Sequence, residues 1–266
     1  MCIRDSYESL PIENAKHQHI RSWMVELVGN GVSSRSINRK LSTLRSYFKY
    51  LKRNNRINSD PMLKILPPKN GKKLPAIIQE KSLDALLKLS EALPNTYSAH
   101  RDLLIVELLY TCGIRRSELI NLSLQDLDFT NKWMKVFGKG SKERILPLSK
   151  DLVAKLEAYL ELRVDQFEEI TIGQEVFLTN KGKPLYPKFV YNLVNRLISK
   201  VSTAEKRSPH ILRHSFATHM MNNGADLNAV KELLGHSSLA ATQVYTHNSI
   251  HKLKETYKIA HPKGSK

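Results

Sequence analysis

The chain has 266 residues, 41% of them hydrophobic, which is typical of a globular protein with one or two domains. No apolar run approaches the length of about 20 residues needed to cross a bilayer, and the first residues hold no secretory signal, so cytoplasm is the expected location. The two cysteines lack metal-ligand spacing and exclude a disulfide framework. Lysine and arginine number 42 against 25 acidic residues, and this net charge of +17 favours a polyanionic partner, nucleic acid before membrane.

The first part of the chain is strongly basic and helical. Helical patterns cover 16–28 and the segment from Ser33, a favourable helix cap, to about Arg53. In the second helix an apolar stripe recurs in alternating steps of four and three, at Ile37, Leu41, Leu44, Phe48 and Leu51. The other side is cationic, and no acid lies between Glu26 and Asp60, so we expect it to contact DNA phosphates. The candidate contacts are Arg35, Arg39, Arg45 and Lys49.

A stretch rich in proline, glycine and lysine separates this part from the rest. Prolines disfavour helix continuation and lysines keep the stretch solvated, as in an interdomain linker. The predicted organisation is a basic domain over 1–66, a linker over 67–76 and a larger domain over 77–266. Helices of the larger domain are predicted over 80–93, 101–112, 151–166, 188–201, 209–222, 226–235 and 250–259. Short strands are predicted over 133–137 and 144–148, with 176–178 as a third strand.

Five short segments of the larger domain hold residues that can carry chemistry. Arg115 follows Gly113 at the end of a buried helix, and Lys139 lies between two glycines. His210 and Arg213 are three residues apart on one predicted helix, so their side chains share a face. Each of these residues alone is most often an ordinary surface or turn residue. The five segments, in chain order, read YTCGIRRSELI, GKGSKERILPL, SPHILRHSFATH, LLGHSS and TQVYTH.

Together these segments resemble the motifs of the tyrosine recombinases in order, residue type and spacing, and are most similar to those of the bacterial Xer group. The resemblance covers about residues 16–263. It implies a mainly α fold, with a helical, SAM-like core-binding domain that clamps DNA and a mostly helical catalytic domain containing a small three-stranded β-sheet, the DNA breaking-rejoining fold. It also matches six residues to the family's catalytic positions: Arg115, Lys139, His210, Arg213, His236 and the nucleophile Tyr245.

The chemistry of DNA cleavage explains why these residue types occur together. The ordinary pKa of tyrosine is about 10, so Tyr245 needs assistance at neutral pH. Two guanidiniums donate paired N–H bonds to a phosphate and stabilise the charge of its transition state. By the resemblance, Lys139 protonates the leaving 5′ oxygen, His210 assists proton transfer at the tyrosine and His236 orients the phosphate. The implied intermediate is a 3′-phosphotyrosyl link, formed without metal, ATP or any other cofactor.

The resemblance also implies partners and a cellular role. The expected substrate is double-stranded DNA with an inverted-repeat core site, bound by a homo- or hetero-tetramer that exchanges strands through a Holliday junction. The expected role is Xer-type resolution of chromosome or plasmid dimers at the nucleoid, in chromosome partition and cell division, with a DNA translocase as an activating partner. The tail over 253–262 resembles the Xer segment that docks on a neighbouring protomer, and a helix packed on its own domain is an equal reading. A mobile-element integrase, a type IB topoisomerase and a catalytically silent DNA-binding protein stay open as alternatives.

The start of the chain departs from the family pattern. The family's N-terminal domain usually begins with an additional helix, whereas only 15 residues precede Lys16 and residues 1–6 fit no helix of the pattern. Our hypothesis is that the N-terminus is truncated or carries a non-native leader. Such a change affects the grip on DNA more than the chemistry.

Overall fold

A computed structural model of the chain describes residues 11–69, 71, 77–88, 94–138, 143–167, 174–204, 207–235 and 247–264, without the side chains of 247–253. The chain divides into two compact units, Met1–Leu74 and Pro75–Lys266, each with its own hydrophobic core. The bounds of the predicted linker, 67–76, stay a prediction because most of its residues lie outside the described part. Within that described part, no helix combines the length and apolar character needed to cross a membrane.

The first unit is built on two helices, α1 (His17–Gly29) and α2 (Ser34–Arg53). The Ser33 hydroxyl accepts a hydrogen bond from the Ser36 backbone N–H, which confirms the predicted cap of α2. A short 3₁₀ turn after α2 adds Met62 to the core of this unit. The buried residues of α2 are those of the predicted apolar stripe: Ile37, Leu41, Leu44, Phe48 and Leu51.

The described part of the second unit is mainly helical. Its helices are α3 (Glu80–Lys88), α4 (Tyr97–Thr111), α5 (Arg116–Ile120), α6 (Lys150–Gln166), α7 (Pro187–Ile198), α8 (Pro209–Asn222), α9 (Leu227–Leu234) and α10 (His247–Ala260). Helix α4 is buried along most of its length and packs against α6 and α8. It begins earlier than the predicted 101–112, because the Thr96 hydroxyl caps it by accepting from the Ala99 N–H. The helix predicted over 80–93 is described as far as Lys88.

Capping and turn residues next to the helix ends determine where α8 begins and where α9 begins and ends, as predicted. Pro209 occupies the first turn of α8, where its missing N–H costs no hydrogen bond. The Asp226 carboxylate caps α9 by accepting from the Asn228 and Ala229 N–H groups. Gly235 ends α9 with φ +63°, a left-handed conformation that favours glycine.

A small antiparallel sheet has the strand order β1-β2-β3. Its strands are β1 (Leu127–Asp128), β2 (Trp133–Phe137) and β3 (Glu143–Pro147). Met134 on β2 pairs with Leu127 on one side and Leu146 on the other, and its side chain is fully buried. The sheet therefore presents one face to the core of the second unit.

The prediction of a third strand over 176–178 is wrong. The third strand is β1, whereas Leu178 forms only an isolated bridge with Pro184. The backbone oxygen of Val176 accepts a hydrogen bond from the Tyr159 hydroxyl, and that of Leu178 accepts one from the Tyr97 hydroxyl. Tyrosine hydroxyls thus satisfy these carbonyls, and the backbone pairing around the buried apolar segment is limited to isolated bridges.

The C-terminal tail packs on its own unit. Tyr257 and Ala260 are part of the core of the second unit. The His261 ring stacks on Tyr257 with ring centroids 4.9 Å apart and leans against Tyr110 at 5.2 Å. This arrangement agrees with the reading of a helix packed on its own domain, and docking on a neighbouring protomer stays a prediction.

Candidate active site

The end of α4 sets the position of the first candidate arginine. Gly113 has φ +58°, and a Cβ at this residue would lie 2.5 Å from Cδ1 of the Phe216 ring. Only glycine therefore allows the chain to turn this closely against the ring. Two residues later, Arg115 becomes the N-cap of the short helix α5. The spacing of glycine and arginine in the motif follows from this turn.

We expect Gly113→Ala to lower the free energy of unfolding by about 2–5 kcal/mol, because left-handed strain adds to a clash with Phe216. Urea unfolding measures the change. The matched control is Gly224→Ala, which has φ +85° but open space around a Cβ. Strain alone then costs about 1–2 kcal/mol. Equal losses in the two variants would contradict the close packing at Gly113.

Glu118 links the candidate arginines to each other. The Arg115 backbone N–H donates to Glu118 Oε2 at 2.7 Å, and its Nη1 donates to Oε1 at 2.7 Å. Arg144, on β3, donates to both carboxylate oxygens at 3.0 and 2.8 Å. Arg213 Nη1 lies 4.0 Å from Oε2. Burial acts to raise the pKa of Glu118, but hydrogen bonds and charge from Arg144, followed by hydrogen bonds from Arg115, lower it to about 2.

This lowered pKa predicts an acid-sensitive contribution to stability. Between pH 4.5 and about 2 the unfolded state binds the Glu118 proton more tightly than the folded state. The contribution is therefore fully present above pH 4.5 and is lost as pH falls through that window. We expect Glu118→Gln to be less stable at neutral pH and to show a shallower loss of unfolding free energy on acidification. Urea unfolding at a series of pH values measures it, with the exposed Glu157→Gln as control; an unchanged slope for Glu118→Gln would contradict the prediction.

Consecutive backbone carbonyls at the end of α9 accept hydrogen bonds from three different arginines. The last carbonyls of a helix lack intrahelical partners and form the negative end of its dipole, so guanidinium donors satisfy them well. The donors and acceptors are Arg144 Nε to the Leu233 oxygen at 2.7 Å, Arg213 Nη2 to the Leu234 oxygen, and Arg115 Nη2 to the Gly235 oxygen at 3.3 Å.

Helix α8 carries the second candidate arginine together with a candidate histidine. Arg213 Nη1 donates to the Gly113 backbone oxygen at 2.6 Å, and 11% of its side chain is exposed. Burial lowers the pKa of Arg213 to about 10, and the charges of Arg115 and Arg144 act in the same direction. The guanidinium stays charged at neutral pH. His210 lies one turn earlier on α8 and is exposed.

The structure thus brings Arg115 and Arg213 together around Glu118 and the end of α9. The Arg115 side chain keeps 33% exposure, so a ligand can reach it. Two charged guanidiniums held in this way can neutralise a phosphate. Three further candidate residues lie outside the described residues: Lys139, His236 and Tyr245.

Sequence reasoning missed two residues of this cluster. Glu118 stands three residues after Arg115 at the start of a helix, which is the spacing of a capping box and a signal present in the sequence. Arg144 has no comparable local signal. Its partners Glu118 and Leu233 are 26 and 89 residues away along the chain, so only the folded structure reveals them.

The cationic face of α2 in the first unit points away from the core of that unit. Arg35, Arg39 and Lys49 are exposed. Arg45 is only half-buried, and its Nη2 donates to the Ile65 backbone oxygen at 3.1 Å. The assignment of these four residues as DNA contacts stays a prediction.

Comparison with known proteins establishes the family. Residues 77–252 match the model of the phage integrase family, and residues 4–55 match that of the phage integrase N-terminal SAM-like domain. The chain belongs to the phage integrase family of tyrosine recombinases. This recombinase therefore catalyses the cleavage and rejoining of DNA.

Relatives of this recombinase carry Xer names. A tyrosine recombinase XerC of Chlorobaculum parvum is 39% identical over 97% of this chain and 82% of its own length. A tyrosine recombinase XerD of Staphylococcus saprophyticus is 39% identical over 88% of this chain and 79% of its own length. This recombinase is thus a site-specific enzyme of the Xer-like type.

Solved structures bear out the predicted fold class. XerH recombinase in a post-cleavage complex with palindromic difH substrate superposes with a TM-score of 0.72 at 24% identity, over 96% of this chain and 76% of that chain. The Tn1549 transposon integrase with circular intermediate DNA gives 0.71 at 21% identity, over 95% of this chain and 90% of that chain. The mainly helical fold, with a SAM-like domain and a catalytic domain containing a three-stranded antiparallel sheet, is confirmed.

Proposed function

We propose that this recombinase resolves dimers of chromosomes or plasmids as a Xer-type enzyme, in chromosome partition at cell division. The observation that carries the proposal is the cluster of Arg115 and Arg213 around Glu118, in a chain of Xer-like type. The two arginines come from motifs nearly 100 residues apart, and the side chains keep 33% and 11% exposure. Such a pair is suited to one phosphate.

The catalytic cycle that we propose uses one phosphate and one tyrosine. Arg115 and Arg213 bind the non-bridging oxygens while the Tyr245 oxygen attacks phosphorus and the P–O5′ bond breaks. His210 takes the phenolic proton, and Lys139 gives a proton to the leaving 5′ oxygen, with His236 orienting the phosphate. In the second half, a 5′ hydroxyl of the partner strand attacks the 3′-phosphotyrosyl link and gives its proton to Lys139, while the departing Tyr245 oxygen takes a proton from His210. The phosphodiester energy is kept in the covalent link, so the cycle uses no ATP.

The first unit supplies the proposed grip on DNA. On α2 an exposed polar stripe recurs in steps of four and three, at Arg35, Arg39, Ser42, Ser46, Lys49 and Arg53. It runs from Arg35 to Arg53, about 27 Å along the helix, and a stripe of this length with four cations and two hydroxyls suits the phosphates of one duplex. Arg45 flanks the stripe and contributes to the same positive field. These contacts position the enzyme without reading bases.

The proposed assembly is a tetramer, homo-oligomeric or with a related recombinase, on double-stranded DNA with an inverted-repeat core site. The post-cleavage complex of XerH holds a palindromic difH substrate, and this supports the choice of site. Strand exchange then passes through a Holliday junction in the cytoplasm, at the nucleoid, and a DNA translocase acts as activating partner.

The test of the proposed cleavage is a suicide duplex. It carries the inverted-repeat site and a nick a few nucleotides 3′ of the scissile phosphate, so that the short fragment with the new 5′ hydroxyl diffuses away and traps the adduct. We expect an SDS-resistant protein–DNA adduct on the 3′ end of the cleaved strand, formed in EDTA and without ATP. Absence of the adduct on every inverted-repeat site tried would overturn the proposal.

The cellular role has a separate test. Deleting the gene is expected to produce filamentous cells with unresolved chromosome dimers, and a plasmid-borne copy restores division. A strain with normal division but a mobile element that no longer excises would instead identify a mobile-element integrase.

A further inference from the structure

A third arginine lies behind the two candidate catalytic arginines. Arg144 on β3 has 4% side-chain exposure, so it does not present its charge to a bound substrate. Its Nη1 and Nη2 donate to the two oxygens of Glu118, and its Nε donates to the Leu233 oxygen at 2.7 Å. Three donors of one planar guanidinium therefore join β3, α5 and α9.

Arg144 holds the Glu118 carboxylate in place. Arg115 makes one side-chain bond to Glu118, to the Oε1 atom that also accepts from Arg144. Arg144 supplies two hydrogen bonds, at 3.0 and 2.8 Å, and among the cationic neighbours of Glu118 it does most to lower the pKa of the carboxylate. Without it, Glu118 is left with Arg115 and Arg213 as its cationic neighbours. The N–H groups that a phosphate requires would then turn toward the buried carboxylate.

Arg144 also contacts the C-terminal end of α9. A Cβ at Gly235 would lie 3.1 Å from Arg144 Nη1, so the glycine packs directly on the guanidinium. The Gly235 oxygen also accepts from Arg115. Gly235 is the residue before His236 in the chain, so Arg144 packs on the residue that immediately precedes this candidate histidine.

We infer that Arg144 is a positioning residue for DNA cleavage, holding Glu118 and the end of α9 so that Arg115 faces the scissile phosphate. The inference rests on the proposed roles of Arg115 and His236. A lysine cannot replace it, because one ammonium does not reach three acceptors in the plane of a fork.

The experiment compares single-turnover cleavage of two suicide duplexes, one with the ordinary scissile phosphate and one with a methylphosphonate at that position. The methylphosphonate has no negative charge for Arg115 to neutralise. For Arg144→Met we expect a loss of about 100-fold in cleavage rate on the phosphate, as for a misplaced catalytic group. The loss shrinks to less than about tenfold on the methylphosphonate, because one charge-stabilising donor is no longer required. Duplex affinity is unchanged.

The matched control is Arg101→Met. Arg101 has 3% side-chain exposure, pairs with Asp102 and donates to the Leu178 oxygen, so it resembles Arg144 in burial and partners but lies in another cluster. We expect its cleavage rates on the two duplexes to change by the same factor. If Arg144→Met does not fold, Arg144→Lys, which keeps a cation and loses the fork, carries the same comparison.

Two outcomes overturn the inference. The first is that Arg144→Met lowers the cleavage rate by the same factor on both duplexes. The second is that its duplex affinity falls in parallel with its cleavage rate. Either result would mean that Arg144 only stabilises the core. Adduct formation by the wild-type protein tests the proposed function in the same assay. If it forms no adduct on the phosphate duplex, the proposed function fails, and this outcome is distinct from an altered substrate ratio in the variants.

Discussion

Tyr245→Phe is expected to abolish the covalent DNA adduct and to leave duplex affinity within about twofold of wild type. Phenylalanine keeps the ring and removes the one oxygen proposed to attack phosphorus, so binding contacts survive and bond formation does not. Both ends of the segment that carries Tyr245 are anchored in the second unit. Gly235 packs on Arg144, and Lys254 on α10 donates to the Asn131 oxygen at 2.6 Å. The substitution leaves these anchors intact.

The adduct is measured on denaturing gels with the suicide duplex, and affinity is measured by titration of the same duplex without the nick. The control is Tyr257→Phe, a buried tyrosine of the same unit, which is expected to form the adduct. An SDS-resistant adduct formed by Tyr245→Phe would show that another residue is the nucleophile. Loss of duplex binding by this variant would show that the substitution acts on the fold.

Parts of the fold that depend on neighbours in the chain could be predicted. The apolar stripe of α2 and the capping residues Ser33, Asp226 and Gly235 act over one or two helical turns, so the sequence contains both partners of each contact. The segment over 176–178 shows where this reasoning ends. Its apolar run fits a buried strand, but tyrosine hydroxyls from two helices satisfy its carbonyls, and only isolated bridges form.

The same distinction applies to the candidate active site. Motif spacing predicts Arg115 and Arg213 as catalytic candidates, and the structure places both beside Glu118. The carboxylate itself could be found only by reading Glu118 as part of a capping box. Arg144 depends on contacts between β3, α5 and α9, which no local pattern describes. Positioning residues of this kind are hidden from sequence reasoning because their function lies in long-range hydrogen bonds.

Arg213→Ala is expected to lower the cleavage rate of the suicide duplex by about 10³-fold, because it removes a cation that we propose stabilises the transition-state charge. Duplex affinity changes little, since many phosphate contacts share the binding energy and one lost contact reduces the salt slope by about one. The variant also leaves the Gly113 and Leu234 oxygens without their guanidinium donor. Small shifts of α9 then add to the loss of charge.

The control is Arg196→Ala, an arginine with 63% side-chain exposure that pairs with Asp102 in another cluster; we expect near wild-type cleavage. Equal losses of cleavage and affinity in Arg213→Ala would contradict its assigned role. Arg213→Lys adds a test of charge. Burial and the charges of Arg115 and Arg144 lower the pKa of the native guanidinium to about 10, and they act on an ammonium in the same direction. A lysine starts from a lower pKa than arginine, so its charge is lost at lower pH, and cleavage by Arg213→Lys should fall at alkaline pH values where wild type stays active.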